Sequence, residues 1–325
     1  MKWFFACSCG VNNLHEGHLA SSSCVNSRLS KMKKYKVIAN PAAGRGTAKT
    51  ADKKIASLLK ARDMCFDMEF TNGPMDAARI ASKAIKEFDV VVAVGGDGTV
   101  NEIVPAMLFS GKPLGIIPAG SGNDFIKSLH IPADMEKAVD IILRGTTKTI
   151  DAGRINDKYF INGVGFGFDA AVNQASYAIN HSKRGLYLYL IALFKTLGKY
   201  SPVELNISVN GNTEELKAFL VAVGNGTTCG GGFRLTPFAK LNDQLFDITV
   251  IKPIRLLPLF WHFPKVFLGT IHKAEKYVHM QRARQITLTS NFPVPVHVDG
   301  EIYDSSKRIF TIEIVPHALE VIFNK

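Results

Sequence analysis

The chain lacks any uninterrupted apolar stretch near the ~18 residues that a membrane-crossing helix needs, so no transmembrane helix is expected. The nearest candidate, Leu186 to Leu197, is short and carries Tyr187, Tyr189 and Lys195. A disulfide framework is lacking too. The five cysteines are an odd count in a chain of 325 residues: Cys7, Cys9 and Cys24 crowd the start, and Cys65 and Cys229 lie far apart. That usage fits a reducing compartment and a cytoplasmic protein. Cys7-x-Cys9 with His15 and His18 could bind a metal, but the spacing misses the usual zinc patterns, which weighs against it. Zinc-finger spacing, RNP-like aromatics and a basic heptad region are all missing, so nucleic acid is not the expected partner. Neither the Walker A pattern nor the dinucleotide G-x-G-x-x-G fingerprint occurs, which argues against a classical NAD-dependent dehydrogenase.

What is present is a basic, otherwise ordinary globular composition. Lys and Arg number 39 against 28 Asp and Glu, a formal charge of +11, with 46% hydrophobic and 21% charged residues. The excess favours anionic partners such as nucleotide phosphates or lipid headgroups. The length suits two domains. Residues 1–31 have a short apolar start (Trp3 to Cys7) and no periodicity, and are expected to form an unpacked extension.

From residue 32 to about 150, strands and helices alternate. Lys36–Asn40, Asp67–Thr71, Asp89–Val94 and Leu114–Pro118 read as strands, and Thr47–Arg62, Met75–Glu87 and Val100–Phe109 as helices. This pattern predicts a doubly wound α/β domain. From Asp151 onward the texture is mainly β, with Asn210-Gly211 a strong hairpin signal. Strands are predicted at Tyr159–Gly163, Glu204–Val209, Glu215–Val223, Leu245–Ile251, Gln285–Ser290 and Val294–Asp299, with helical interruptions at Ala170–Gly198 and Pro253–Tyr277.

Three glycine-bearing loops follow predicted parallel strands: Asn40-Pro41-Ala42-Ala43-Gly44, Gly95-Gly96-Asp97-Gly98-Thr99 and Gly120-Ser121-Gly122-Asn123-Asp124. Glycines let backbone amides approach an anion, and a helix N-terminus adds partial positive charge. Loops at one edge of such a sheet outline a nucleotide cleft. Asp97 could hold Mg²⁺ or accept a proton; Asn123 and Asp124 could be simple helix caps, the less favoured reading of their loop.

The order Asn-Pro-x-x-Gly, Gly-Gly-Asp-Gly-Thr-x-Asn-Glu, Pro-x-Gly-Ser-Gly-Asn-Asp-Phe and Asp299-Gly300-Glu301 resembles the bacterial diacylglycerol kinase and lipid kinase family, distantly related to sphingosine, ceramide and NAD kinases. The resemblance runs from Lys33 to the C-terminus. It implies an α/β ATP-binding domain over 32–150, a C-terminal β-sandwich domain over 151–309, the cleft between them, and a last strand within 310–325 returning to the first domain. It places Asn40, Pro41, Ala42, Ala43, Gly44, Thr71, Gly95, Gly96, Asp97, Gly98, Thr99, Val100, Asn101 and Ser121 around ATP. Glu301 matches the family's proposed general base, with Asp97 the rival for that role and the preferred holder of Mg²⁺–ATP. A structural Mg²⁺ loop is implied at the Lys240 and Leu245 carbonyls and the Asp243 carboxylate, although relatives usually have Gly where this chain has Gln244.

The acceptor is then a membrane lipid, diacylglycerol by family default. The segment Ile251 to Arg284, apolar with Lys and Arg at its margins, suits contact with an anionic membrane at its inner face, or simple packing on the β-sandwich. Pro258 and Pro264 are expected to break any long helix there. A homodimer is compatible with this reading. A kinase of a soluble acceptor such as NAD, or a non-catalytic nucleotide- or lipid-binding protein, are the alternatives. Retention of both Asp97 and Glu301 argues against the last of these.

Overall fold

The computed structural model describes residues 2–4, 33–43, 48–179 and 186–325. In chain order the strands are β1 (Lys2–Phe4), β2 (Lys34–Ala39), β3 (Cys65–Phe70), β4 (Val90–Gly95), β5 (Leu114–Pro118), β6 (Thr147–Ile155), β7 (Lys158–Phe160), β8 (Gly163–Gly167), β9 (Val203–Val209), β10 (Asn212–Ala218), β11 (Leu220–Gly224), β12 (Phe246–Ile251), β13 (Val278–Ala283), β14 (Gln285–Thr289), β15 (Val296–Val298), β16 (Glu301–Ile302) and β17 (Ile309–Ile322). The helices are α1 (Ala48–Lys60), α2 (Asp76–Glu87), α3 (Asp97–Met107), α4 (Asp124–Ser128), α5 (Met135–Arg144), α6 (Phe168–Ile179), α7 (Leu186–Leu197) and α8 (Leu256–Leu268).

The parallel strands β3, β2, β4 and β5 form the N-terminal sheet. Every residue of β4 and β5 is buried, as continuous apolar strands covered by helices on both faces must be. Two antiparallel layers build the second half. β8, β11, β12, β13 and β15 pack against β9, β14, β17 and β6 through Phe160, Phe166, Phe246, Ile286 and Phe310. Strand β17 joins the halves. It pairs with β14 and β6, bulges between Val315 and Leu319, and then meets β5 in parallel at Val321–Leu114. Asp151 braces this bend, accepting from His317 N at 2.9 Å and from Gln244 N at 2.7 Å.

Several expected boundaries are redrawn. The predicted strand Glu215–Val223 is two strands in different sheets, because the chain changes layer at Phe219, whose N–H donates to Ile251 O. Asn210-Gly211 makes the two-residue hairpin expected of it, with both residues at positive φ. Pro258 and Pro264 do not break α8. Pro258 sits in the first turn, where its missing N–H would be unpaired anyway. The bond lost at Pro264 is offset by packing of Leu259, Phe263 and Phe267 on the core. Lys2–Phe4 of the expected unpacked extension pairs antiparallel with β3. The rest of residues 1–31, including Cys7, Cys9, His15 and His18, and also Gly44, lie outside the described residues.

Candidate active site

The C-terminal ends of β2, β4 and β5 release the three glycine-bearing loops at one edge of the sheet. The loops are stitched together. Asn40 N–H donates to Val94 O at 3.0 Å, Ala119 N–H to Gly95 O at 2.9 Å, and Asn40 Nδ2 to Thr99 Oγ1 at 3.0 Å. Asn40 Oδ1 also accepts from Ala42 N at 3.0 Å, so this side chain shapes its own loop and reaches the next. Gly96 and Gly120 are glycines because the two loops touch backbone to backbone: a Cβ on Gly96 would stand 3.0 Å from Gly120 Cα. Asn123 closes the third loop, with Nδ2 donating to Gly120 O at 2.8 Å.

Helix α3 starts at Asp97, three residues earlier than the sequence reading placed it. Its N-terminus therefore lies inside the Gly95–Thr99 loop, where exposed amides and the helix dipole favour an anion. Thr99 and Thr71 are buried at this edge, and Ser121 is exposed. Val100 turns its side chain into the core, so it can offer a ligand only backbone.

Asp97 Oδ1 accepts from Phe125 N at 3.1 Å, and burial, then the charge of Asp124, hold its carboxyl above the ordinary value. A Cβ on Gly122 would lie 3.0 Å from Asp97 Oδ2 and 3.8 Å from Asp124 Oδ2, so two carboxylates flank this glycine. Asp124 is the first residue of α4 and not its cap, and Asn123, at the cap position, makes no side-chain capping bond. Asp124 is buried, it takes Lys127 Nζ at 2.7 Å, and it accepts from Gly231 N of the second half at 2.6 Å. Its signal was a second acid at the same place after a glycine loop.

Across from the loops stands the turn between β15 and β16. Asp299 (φ 49) and Gly300 (φ 80) form a two-residue hairpin, as an Asp-Gly pair favours. The Asp299 carboxyl is turned inward and accepts from Ile161 N at 2.9 Å, Asn162 N at 2.9 Å and Gly163 N at 2.8 Å. Burial pushes it up to about 6 against the pull of those amides. Asn101 Nδ2 of α3 donates to Asp299 O at 3.1 Å, and Asn173 Nδ2 of α6 to Gly300 O at 2.7 Å. Glu301 emerges partly exposed, with Lys158 Nζ 3.0 Å away. Asn101 thus joins the glycine-loop helix to the turn that precedes Glu301.

The Lys240–Leu245 loop lies elsewhere, at the bend of β17. Gln244 has φ 61, the conformation that favours glycine. Asp243 Oδ1 accepts from Leu245 N at 3.3 Å, and its Oδ2 is 3.6 Å from Arg282, beyond hydrogen-bond length. Among the described residues, no three His, Cys, Asp or Glu side chains gather to form a metal cage. Mg²⁺, which keeps waters and substrate phosphates beside one or two carboxylates, fits the neighbouring carboxylates of Asp97 and Asp124, whereas this loop offers the single carboxylate of Asp243.

Comparison with known proteins settles the family. Residues 34–155 match the diacylglycerol kinase catalytic domain. Residues 162–323 match the YegS C-terminal NAD kinase beta sandwich-like domain. A diacylglycerol kinase of Staphylococcus saprophyticus is 30% identical over 274 residues, 83% of this chain and 89% of the relative. The chain belongs to the diacylglycerol kinase family. A diacylglycerol kinase of Staphylococcus aureus (strain JH9) is 34% identical over 231 residues, 70% of this chain and 72% of that protein. A solved structure from Bacillus anthracis str. Sterne has a TM-score of 0.73 at 27% identity and covers 90% of this chain and 98% of that one. A second, described as a diacylglycerol kinase from the same source, has a TM-score of 0.68 at 24% identity over the same shares and speaks to the fold alone. The mixed fold, a parallel-stranded domain followed by an antiparallel sandwich, is that of these neighbours, and the family is one of phosphotransferases. No helix among the described residues is long and apolar enough to cross a membrane.

Proposed function

We propose that this chain transfers the γ-phosphate of ATP to a lipid hydroxyl, with diacylglycerol the acceptor and phosphatidic acid the product. The observation that supports this most is the Asn101–Asp299 bond, because it ties the glycine-loop helix to the turn that carries Glu301. A base on one side of a cleft and anion-binding amides on the other is what in-line phosphoryl transfer asks of a protein. The amides of Gly96, Asp97 and Gly98 at the start of α3 would cradle the phosphates, with Gly95, Thr99, Val100, Asn40, Pro41, Ala42, Ala43, Thr71, Asn101 and Ser121 around them. Asp97 and Asp124 would hold Mg²⁺, which when bound would supply charge neutralisation for the transferring group. Lys127, paired with Asp124 at 2.7 Å, can add positive charge beside these carboxylates. Glu301 takes the proton of the attacking hydroxyl. The Lys240 and Leu245 carbonyls with Asp243 would hold a second, structural Mg²⁺.

The acceptor arrives from a membrane. One face of α8 packs on the core, and the other leaves Leu257 82% and Trp261 79% exposed, with Leu256, Phe260 and Leu268 beside them. Phe194 of α7 extends this patch by stacking on Phe260 at 6.2 Å. Exposed Lys252 and Arg255 stand at its margin. A helix this apolar on its outer face, rimmed by basic groups, suits shallow insertion into an anionic leaflet, and the basic composition assists. The protein accordingly works in the cytoplasm at the inner membrane face.

Glu301→Gln is the test. The variant binds ATP within about threefold of wild type and loses on the order of 10²–10⁴ in transfer rate, the usual worth of a general base. Full activity would move the base role away from Glu301, first to Asp97.

A further inference from the structure

Beneath the Asp299-Gly300-Glu301 turn lies a polar pair with no part in the chemistry described so far. His297 is 7% exposed and Asp169 6%. They are 128 residues apart in sequence, on β15 and at the start of α6, and His297 Nε2 is 3.2 Å from Asp169 Oδ2. The other ring nitrogen, Nδ1, accepts from Gly300 N at 3.4 Å. An acceptor at Nδ1 requires the proton on Nε2, which donates to the carboxylate, so the two bonds select one tautomer. Asp169 is itself held, its Oδ1 accepting from Ala170 N at 2.8 Å in the first turn of α6. The seat is built for the pair: a Cβ on Gly165 would collide with Asp169 Oδ2 and His297 Nε2. Isolated buried polar groups are costly, so their presence here asks what they hold.

They hold the turn. Asp299 anchors one end through its carboxyl, and Asn101 and Asn173 take the two turn carbonyls. The Gly300 amide is the remaining backbone group before Glu301, and His297 is its acceptor. We infer that His297 and Asp169 form a buried positioning pair that fixes the Gly300 amide and, through it, the direction in which Glu301 enters the cleft. This rests on the reading of Glu301 as the base. A shift of about 1 Å at a reacting group is enough to lower a rate strongly.

A cavity of about 20 Å³ adjoins the pair, lined by Asn162, Asp169, Thr228 and Cys229 among others, and it has room for a water. An alanine at 297 would let water replace Nδ1, so leucine is the informative variant. His297→Leu is expected to lower kcat about tenfold with KM for ATP unchanged, and to speed amide exchange at Gly300 by tenfold or more in the protein without ligands. His297→Asn, whose Oδ1 can accept in place of Nδ1, is expected to return both to within about threefold of wild type. In a Glu301→Gln background, His297→Leu is expected to cause no further loss, since the two act as one unit. Equal fractional loss in both backgrounds, or Gly300 exchange unchanged by His297→Leu, would overturn the inference. If Glu301→Gln alone transfers phosphate at the wild-type rate, the base assignment fails, and Gly300 exchange still decides whether the pair holds the turn.

Discussion

Asp299→Asn tests how the turn beneath the cleft is held. The carboxyl accepts three amide hydrogens, from Ile161, Asn162 and Gly163, yet burial carries it from the ordinary 3.8 up to about 6. A carboxyl raised in the folded state keeps a proton that the unfolded chain gives up. Its contribution to stability is therefore full below about pH 4 and is lost as pH rises through about 6. The span from 3.8 to about 6 is worth at most roughly 3 kcal/mol. Asparagine does not titrate, and its amide nitrogen would face a donor where Asp299 Oδ2 now accepts from Ile161 N. The variant should be less stable than wild type near pH 4, and the gap should narrow by up to about 3 kcal/mol by pH 8. Guanidinium unfolding of both proteins across this range measures the gap directly. Asp97 and Asp247 are raised in the same direction, and they cancel because both proteins carry them. A gap that widens with pH would mean that the three amides outweigh burial, and would refute the reasoning.

Two further outcomes follow from strain and exposure. Gln244→Gly relieves a side chain at φ 61 and gives up two long, exposed contacts, 3.3 Å to Arg284 and 3.4 Å to His317, so thermal unfolding should show a gain of roughly 0.5–1 kcal/mol; a lower melting temperature would contradict this. Leu257→Ser with Trp261→Ser removes two outward side chains, each worth about 1.5–3 kcal/mol when buried. Binding to phosphatidylglycerol vesicles should fall at least tenfold with stability unchanged, and unaltered vesicle binding would remove α8 from the membrane contact.

The sheet of the first half was legible because its strands are short apolar runs delivered to glycine turns, and β4 with its loop is the clearest case. The hairpin at Asn210-Gly211 was equally plain, since few other sequences accept two positive φ angles. Strand β6 escaped notice because its first three residues are polar, with Thr147 and Lys148 only partly covered and Thr149 exposed, and it gains its place by pairing with β17, far along the chain. Prolines misled at α8, where position in the first turn and tertiary packing outweigh local propensity. At the candidate site, the loops announced themselves through glycine. The roles of Asp124, Asn101, Asp169 and His297 did not, because each depends on a partner from a distant segment: Gly231, Asp299, or one another. Sequence spacing carries no record of such pairings.

The central claim is phosphoryl transfer to a membrane lipid. The most direct measurement incubates the intact protein with γ-labelled ATP, Mg²⁺ and mixed lipid vesicles containing diacylglycerol, and then identifies the labelled product. The account predicts labelled phosphatidic acid. Label that appears on NAD when NAD is supplied, with none on any lipid, would contradict it.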